Sequence, residues 1–152
     1  MAVFGLNGQK LKKWDGGKED WVEVNADSSL EGKKVVAFYF SAHWCPPCRA
    51  FTPMLKDAYE EYLGEASDIE IVFVSSDRSP EDMKQYMKDS HGNWLAIQHN
   101  SDLGKALKTK FGIQGIPALI VCKADGSVIT KEGRADVQKA GPEGMKQWLK
   151  KL

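Results

Sequence analysis

Two almost uninterrupted apolar runs, separated by one long amphipathic pattern, constrain the fold of this chain more than any other feature. Residues 34–41 and 69–75 lack the alternation of a half-exposed strand, so each indicates a central strand covered on both faces. Between them, residues 46–63 carry apolar side chains at spacings of three and four, which is typical of a helix with one buried face. Together the three segments predict a right-handed crossover that joins two parallel strands.

Shorter elements are expected around this crossover. A turn pattern at 15–17 and the alternating residues 21–24 indicate an N-terminal hairpin or edge strands. A proline and two acids mark a capped helix start at 79–82, which predicts a helix that ends near residue 90. The other expected elements are a helix at 101–110, a strand at 117–122, a turn at 124–127, a returning strand at 128–130 and a last helix at 143–152.

The length and charge of the chain limit its class. A chain of 152 residues is expected to form a single domain over 1–152, with an extension at 1–29 and a core at 30–152. Its 21 basic and 21 acidic residues balance, so no nucleic-acid partner is expected. We expect no membrane span, because no apolar run reaches about 18 residues. The first ten residues lack the apolar core of a secretory signal, so we expect a cytoplasmic location, with the nucleus also compatible. A monomer is the default expectation for the oligomeric state.

The chemistry is expected where the first crossover strand meets its helix. Cys45 falls at the helix cap and Cys48 three residues later, so both sulfurs lie on one side of the first turn. The free amides and dipole of that turn favour a thiolate and lower its pKa toward neutrality. Pro46 and Pro47 have no N–H, which limits this effect. We therefore expect a reductant, with a potential between about −200 and −270 mV.

Two other interpretations of the cysteine pair are weaker. A zinc site needs a second pair of ligands, but Cys122 stands alone and the three histidines lack ligand spacing. A purely structural disulfide would close too small a ring to gain much stability. No glycine-rich phosphate loop follows a strand. We expect a redox pair that uses neither a metal nor any other cofactor.

The segment 39–49, Tyr-Phe-Ser-Ala-His-Trp-Cys-Pro-Pro-Cys-Arg, carries a family resemblance. Together with residues 51–53 and 115–117 it resembles the thioredoxin superfamily, and more closely its tryparedoxin and nucleoredoxin branch. The similarity extends over roughly 30–148. It implies an α/β thioredoxin fold, with a central mixed β-sheet flanked by helices on both faces and with an N-terminal β-hairpin extension.

The resemblance also implies roles for individual residues. Cys45 matches the exposed nucleophile and Cys48 the buried resolving thiol. Trp44 matches the aromatic residue beside the pair that shapes the contact surface. The supporting residues of the active site are then Trp44, Pro46, Pro47, Arg49 and Tyr39.

A second group of residues is implied to bind the substrate. Ile116 and Pro117 match the cis-proline segment, whose backbone pairs with an incoming substrate strand. Arg134 matches an arginine at the substrate surface of tryparedoxins. Proline is rare inside a strand, which agrees with a special role for Pro117.

Three positions depart from the patterns of related proteins. Tyr39 replaces the buried aspartate of ordinary thioredoxins and is a poor base, so we expect water or a weak hydroxyl relay to deprotonate Cys48. Ser76 replaces a tryptophan of tryparedoxins, and Gln114 an acid that they often have. These two changes favour a nucleoredoxin-like role over a trypanothione-linked one.

Three further residues have two interpretations each. His43 is either a charge that lowers the pKa of Cys45 or an exposed loop residue. Cys122 is either a buried core residue or a site of glutathionylation. Arg49 either pairs with an acidic partner or only contacts solvent.

These observations predict a protein-disulfide reductase that cycles between the dithiol and the disulfide of Cys45 and Cys48. Its partners would be protein disulfides, peroxiredoxins among them, together with an upstream reductase or a low-molecular-weight thiol. One alternative is a redox-sensing module that docks a signalling partner. Another is an oxidase or isomerase of a secretory compartment, which the missing signal disfavours.

Overall fold

The computed structural model describes residues 4–63 and 68–152, and within these ranges one sheet is sandwiched between helices. Its strands are β1 (Lys10–Asp15), β2 (Asp20–Asn25), β3 (Val35–Ser41), β4 (Ile69–Ser75), β5 (Leu95–Ala96), β6 (Ala118–Lys123) and β7 (Val128–Thr130). Its helices are α1 (Ala26–Ser29), α2 (Pro46–Leu63), α3 (Pro80–Ser90), α4 (Asp102–Lys110), α5 (Gly133–Ala140) and α6 (Pro142–Leu149). The bounds of α2, β4 and β7 are those that the sequence predicts.

The sheet is mixed, in the order β2-β1-β5-β4-β3-β6-β7. Strand β3 pairs in parallel with β4, with Val35 opposite Ile69, and β4 pairs in parallel with β5. The other pairs are antiparallel. The parallel crossover through α2 confirms the central prediction, and it brings the carboxyl ends of β3 and β4 to the same edge of the sheet.

The N-terminal hairpin is an integral part of this sheet. Strands β1 and β2 pair over their full length, and the rings of Trp14 and Trp21 meet edge to face at 5.1 Å. Of the two hairpin strands, only β2 lies at an edge of the sheet, because β1 also pairs with the two-residue strand β5. The expected hairpin is confirmed, while the sequence analysis missed β5 and its contact with β1.

Alternate residues of β3 supply the two halves of the core. Tyr39 faces one cluster, which includes Leu55 of α2 and Trp148 of α6. Phe38 and Phe40 face the other cluster, where both rings meet Phe111 at the end of α4. Because both faces of β3 are covered, its strand is apolar throughout, as the sequence predicts.

The C-terminal part differs from prediction. Strand β6 begins after Pro117, because proline has no N–H to give to the ladder. Helix α5 was missed, and α6 ends at Leu149 instead of 152. Gly133 at the start of α5 approaches β6 so closely that an added Cβ would lie 2.8 Å from the carbonyl oxygen of Leu119. Glycine is needed here because no side chain would fit between α5 and β6.

None of the helices in the described ranges combines the length and the apolar character required to cross a bilayer.

Candidate active site

Cys45 and Cys48 lie at the start of α2, directly beyond the carboxyl end of β3. Cys45 precedes the first helical residue, and a disulfide joins it to Cys48 with a Cα–Cα distance of 5.2 Å. The structure therefore brings the two predicted sulfurs together within one helical turn.

The two prolines determine which amide reaches the leading sulfur. Pro46 and Pro47 are the first two helical residues and have no N–H. The Cys48 amide donates to Cys45 Sγ at 3.3 Å, and the Arg49 amide donates to the Cys45 carbonyl oxygen at 3.0 Å. Among these first residues, the Cys48 amide is thus the backbone donor to the Cys45 sulfur.

The accessibility of the pair corrects one expectation. In the disulfide-bonded form Cys45 is only 5% exposed, whereas an exposed nucleophile was expected, and Cys48 is fully buried at 0%. Cys45 is buried because Ala42 and the half-buried Ile116 pack around the pair. The expected order holds, since a reactant from solvent reaches Cys45 before Cys48.

The cis-proline segment lies against the leading sulfur. The peptide bond between Ile116 and Pro117 is cis, as the resemblance implies. The Ile116 carbonyl oxygen lies 3.8 Å from Cys45 Sγ. This segment comes from the loop before β6, so the antiparallel pairing of β6 with β3 places it beside the start of α2.

Trp44, directly before Cys45, supplies an exposed aromatic surface at the site. Its side chain is 50% exposed, and its indole N–H donates to the Ser76 carbonyl oxygen at 3.0 Å. The Arg78 guanidinium carbon lies 5.9 Å from the centre of the indole ring. The ring is therefore held at the surface while much of it faces solvent.

A buried carboxylate anchors the loop that carries Trp44. Asp77 Oδ1 accepts the backbone N–H of His43 at 2.7 Å, and Oδ2 accepts the Ser75 hydroxyl at 2.7 Å. Asp77 is buried although it follows a strand. This anchor was not predicted: the sequence shows an acid two residues beyond β4 but not that it meets the loop after β3.

His43 is partly exposed and lies beside α3. Its Nε2 is 3.6 Å from Asp89 Oδ2, and its ring centre is 5.3 Å from that of Tyr86. The described contacts of His43 thus point to Asp89 and Tyr86, away from the Cys45 sulfur.

A buried cluster of hydroxyl groups supports the first turns of α2 from below. Thr52 lies in α2 and donates its single hydroxyl proton to the Cys48 carbonyl oxygen at 2.9 Å. Thr52 Oγ1 also contacts the hydroxyls of Tyr39, at 2.6 Å, and of Tyr86. Since its proton is already used, Thr52 must accept from both tyrosines. Ser41 then donates to Tyr86 at 2.6 Å.

This direction of hydrogen bonds decides what Tyr39 does. Burial, with the nearby Tyr86, raises the pKa of Tyr39 far above its ordinary value, and burial also raises the pKa of Tyr86. Both hydroxyls stay protonated and donate. The cluster reaches the backbone carbonyl of Cys48 and not its sulfur, so it holds the helix start in place, and the expected hydroxyl relay is not among the described contacts.

The remaining predicted residues have no described side-chain contact with the cysteine pair. Arg49 and Gln114 are exposed, and Cys122 is fully buried in the second core cluster. Burial raises the pKa of Cys122 to about 11. Arg134 is half-buried in the first turn of α5 with Nε shielded from solvent, and no described contact joins it to the cysteine pair.

The described residues contain no group of three or more His, Cys, Asp or Glu side chains that could hold a metal ion. What the site does contain is a sulfur pair that closes, one amide aimed at the leading sulfur, and a surface between Trp44 and Ile116.

Comparison with known proteins places this arrangement in a family. A family model described as thioredoxin-like matches residues 32–128. Nucleoredoxin from Mus musculus is 47% identical over 111 residues, which are 72% of this chain and 25% of that protein. The chain thus spans about a quarter of the length of this relative.

Two solved structures align over nearly all of the chain. Thioredoxin from Wuchereria bancrofti is 49% identical with a TM-score of 0.80, and the match covers 97% of this chain and 98% of that one. Native tryparedoxin I from Crithidia fasciculata is 35% identical with a TM-score of 0.75, covering 91% and 90%. The chain belongs to the thioredoxin-like family, in its tryparedoxin and nucleoredoxin branch.

Proposed function

We propose that the protein is a thiol–disulfide oxidoreductase that reduces protein disulfides. The observation that carries this proposal is the closed pair itself: Cys45 and Cys48 share one helical turn, and the sulfur of the more exposed residue, Cys45, accepts a backbone amide. An amide that donates to a sulfur favours its thiolate, which is the species that attacks a disulfide.

The reaction proceeds in two exchanges. The Cys45 thiolate attacks one sulfur of the substrate disulfide, and the other substrate sulfur leaves as a thiolate that takes up a proton. Cys48, as a thiolate after losing its proton to water, then attacks Cys45 Sγ and releases the second substrate thiol. Two electrons pass to the substrate, and the protein is left with the Cys45–Cys48 disulfide. An external thiol or a reductase returns two electrons and two protons.

The neighbouring residues position the substrate. Trp44 directly precedes Cys45 and the Ile116 carbonyl lies beside the Cys45 sulfur, so a chain bound at Cys45 would contact both. The Ile116 carbonyl would accept a backbone N–H of that chain. Arg134 is retained as a substrate-binding residue on resemblance alone, because its described contacts do not reach the pair.

The expected surroundings follow from this chemistry. The dithiol form requires a reducing compartment, so we place the protein in the cytoplasm and, as a second location, the nucleus. Its substrates would be oxidised proteins, peroxiredoxins among them, and its donor a reductase or a low-molecular-weight thiol.

Insulin reduction by dithiothreitol tests the proposal. The wild-type protein should accelerate precipitation of the insulin chains, Cys45→Ser should fall to the uncatalysed rate, and Cys122→Ser should keep the wild-type rate. The Cys122 variant is the matched control because that thiol is buried away from the pair. Equal rates for wild type and Cys45→Ser would remove the enzyme proposal.

A Cys48→Ser trap separates this proposal from the binding-module alternative. With its resolving thiol removed, the variant should hold several proteins as mixed disulfides through Cys45. A single stoichiometric partner that also stays bound to the Cys45→Ser/Cys48→Ser double variant would instead favour the redox-sensing module.

A further inference from the structure

A cleft of about 300 Å³ lies next to the indole of Trp44, the residue that precedes Cys45. It is formed by the end of β4 and the loop after it, by the loop after β5, and by the first turns of α4. Two of its lining residues touch Trp44, because the Ser76 carbonyl accepts the indole N–H and Arg78 lies over the ring. The cleft therefore adjoins Trp44, the half-exposed residue directly before Cys45 in the chain.

The charge of the cleft is one-sided. Arg78, Lys105 and Lys108 line it, and the carboxylate among the described lining residues is that of Asp77. Both oxygens of Asp77 already accept hydrogen bonds, from the His43 amide and the Ser75 hydroxyl. The cations of the cleft thus outnumber its carboxylate in a chain whose overall charge is zero.

The described hydrogen bond of Lys108 goes to a neutral group and not to a carboxylate. Lys108 is half-buried, and its ammonium group donates to the Ser75 carbonyl at 3.2 Å, which is a neutral partner. Burial lowers the pKa of Lys108, and the nearby Lys105 ammonium lowers it further. An anion in the cleft would oppose both effects, because it would stabilise the two ammonium charges.

We propose that this cleft recognises an acidic side chain of the protein substrate, carried on the segment that flanks the disulfide under attack. This rests on the proposed function. A substrate chain that lies between Ile116 and Trp44 continues past the indole toward Arg78. An extended chain advances about 3.3 Å per residue, so an aspartate or glutamate two or three residues from the substrate cysteine reaches the cleft. The cleft therefore selects among disulfides, and the cysteine pair reduces the one selected.

The test compares two peptide disulfides that differ only in the residues flanking the cysteine, glutamate in one and lysine in the other. The wild-type protein, recycled by dithiothreitol at low salt, should show a kcat/KM for the acidic peptide roughly two- to fivefold above that for the basic one. The preference should shrink at high salt, because exposed charges are then screened.

Lys105→Glu is the decisive variant. Lys105 is exposed in the first turns of α4, where a glutamate suits the helix dipole, so the fold should be retained. The acidic-over-basic ratio should fall by about the wild-type preference or more, and Lys105→Gln should give an intermediate ratio. Lys151→Glu makes the same change of net charge at an exposed residue outside the cleft and should leave the ratio unchanged.

Each other outcome overturns the proposal. If Lys105→Glu and Lys151→Glu lowered the ratio equally, net charge alone would explain the preference. If neither lowered it, the preference would not come from the cleft. A wild-type ratio near one, with glutathione disulfide reduced more slowly by Lys105→Glu, would assign the cleft to a small thiol instead. Normal insulin reduction with no peptide preference would reject the cleft and leave the proposed function intact, whereas loss of all reduction would reject the function itself.

Discussion

Thr52 is the residue on which the support of the active site converges. Its hydroxyl donates to the Cys48 carbonyl and accepts from two tyrosines that β3 and α3 bring from distant parts of the chain. A buried polar group that loses its partner costs more than the hydrogen bond contributed, because it has also lost contact with water. The cluster is therefore most sensitive at Thr52, which takes part in three of its hydrogen bonds.

Replacing Thr52 by valine keeps the shape and removes the hydroxyl. We expect Thr52→Val to lower the free energy of unfolding by about 1–3 kcal/mol, since it leaves a carbonyl and two tyrosine protons with fewer partners. Thr109→Val is the matched control, because Thr109 also donates to the carbonyl four residues back, at 3.1 Å, but is exposed. Its effect should stay within about 0.5 kcal/mol. Urea unfolding of the oxidised proteins measures both, and equal losses would contradict the cluster's role.

Cys122 makes a second prediction at this scale. Burial raises the pKa of its thiol to about 11, so it should not react with iodoacetamide at pH 8 in the folded protein. Mass spectrometry of the reduced, folded chain should show at most two alkylated cysteines, Cys45 before Cys48, and three in denaturant. A third rapid modification under native conditions would show that Cys122 is accessible and would revive its glutathionylation.

Helix α2 shows how much of the site the sequence determines. Its bounds were predicted because proline suits the first helical position and because apolar residues recur on one face. The placement of both sulfurs follows from those bounds. The anchor at Asp77 and the hydroxyl cluster could not be predicted, since each joins residues from separate elements whose register only the folded sheet sets.

Helix α5 marks the other limit of prediction. It has no side-chain cap at Glu132, and its first residue is a glycine, which has a low intrinsic preference for helix. Gly133 is required by the close approach of α5 to β6, a tertiary contact that no local pattern indicates. The two residues of β5 are likewise too few to form a pattern, and they pair only because β1 and β4 flank them.

The first turn of α2 determines how strongly the Cys45 thiolate is stabilised, which a proline substitution can test. Pro47→Ala adds an N–H where the helix start has none, close to Cys45 Sγ. We expect the pKa of the Cys45 thiol to fall and the pair to become more oxidising, because the thiolate of the reduced form is stabilised. Thiolate absorbance against pH and redox equilibration with glutathione measure the two effects.

Pro142→Ala is the control for that experiment. Pro142 is the first residue of α6, so Pro142→Ala also adds an N–H to a helix start, but at one where the described elements place no redox group. It should leave both measurements unchanged. An unaltered pair in Pro47→Ala would show that the Cys48 amide alone determines the ionisation of Cys45.

At the scale of the whole molecule, the seven-stranded sheet joins the site to a core that responds to pH. His91 follows α3 and lies among Phe73 and Tyr86, each 4.3 Å away between ring centres, while its Nδ1 accepts the Trp94 indole N–H at 3.1 Å. Tyr86 belongs to the hydroxyl cluster under Cys48, so the packing of His91 and the support of the active site share one ring. That the whole chain forms a single domain stays a prediction.

Burial, with a smaller effect of nearby His43, lowers the pKa of His91 well below its ordinary value. The unfolded chain titrates near pH 6.5, so below that pH it binds a proton that the folded protein does not. The free energy of unfolding should therefore fall as the pH decreases from 7 to 5.5, with a slope that approaches about 1.4 kcal/mol per pH unit from this residue. Above pH 7.5 His91 should contribute no slope, because both states are then neutral.

His91→Asn isolates this contribution. Asparagine offers an oxygen to the Trp94 indole and cannot titrate in this range, while His43 and His99 remain in both proteins. The variant will differ in absolute stability, so the slopes of unfolding free energy against pH are compared between 5.5 and 7, above the range in which most carboxylates titrate. Wild type should be steeper. Parallel lines would mean that His91 takes up its proton alike in the folded and unfolded protein, which would contradict the burial of its ring beside Tyr86.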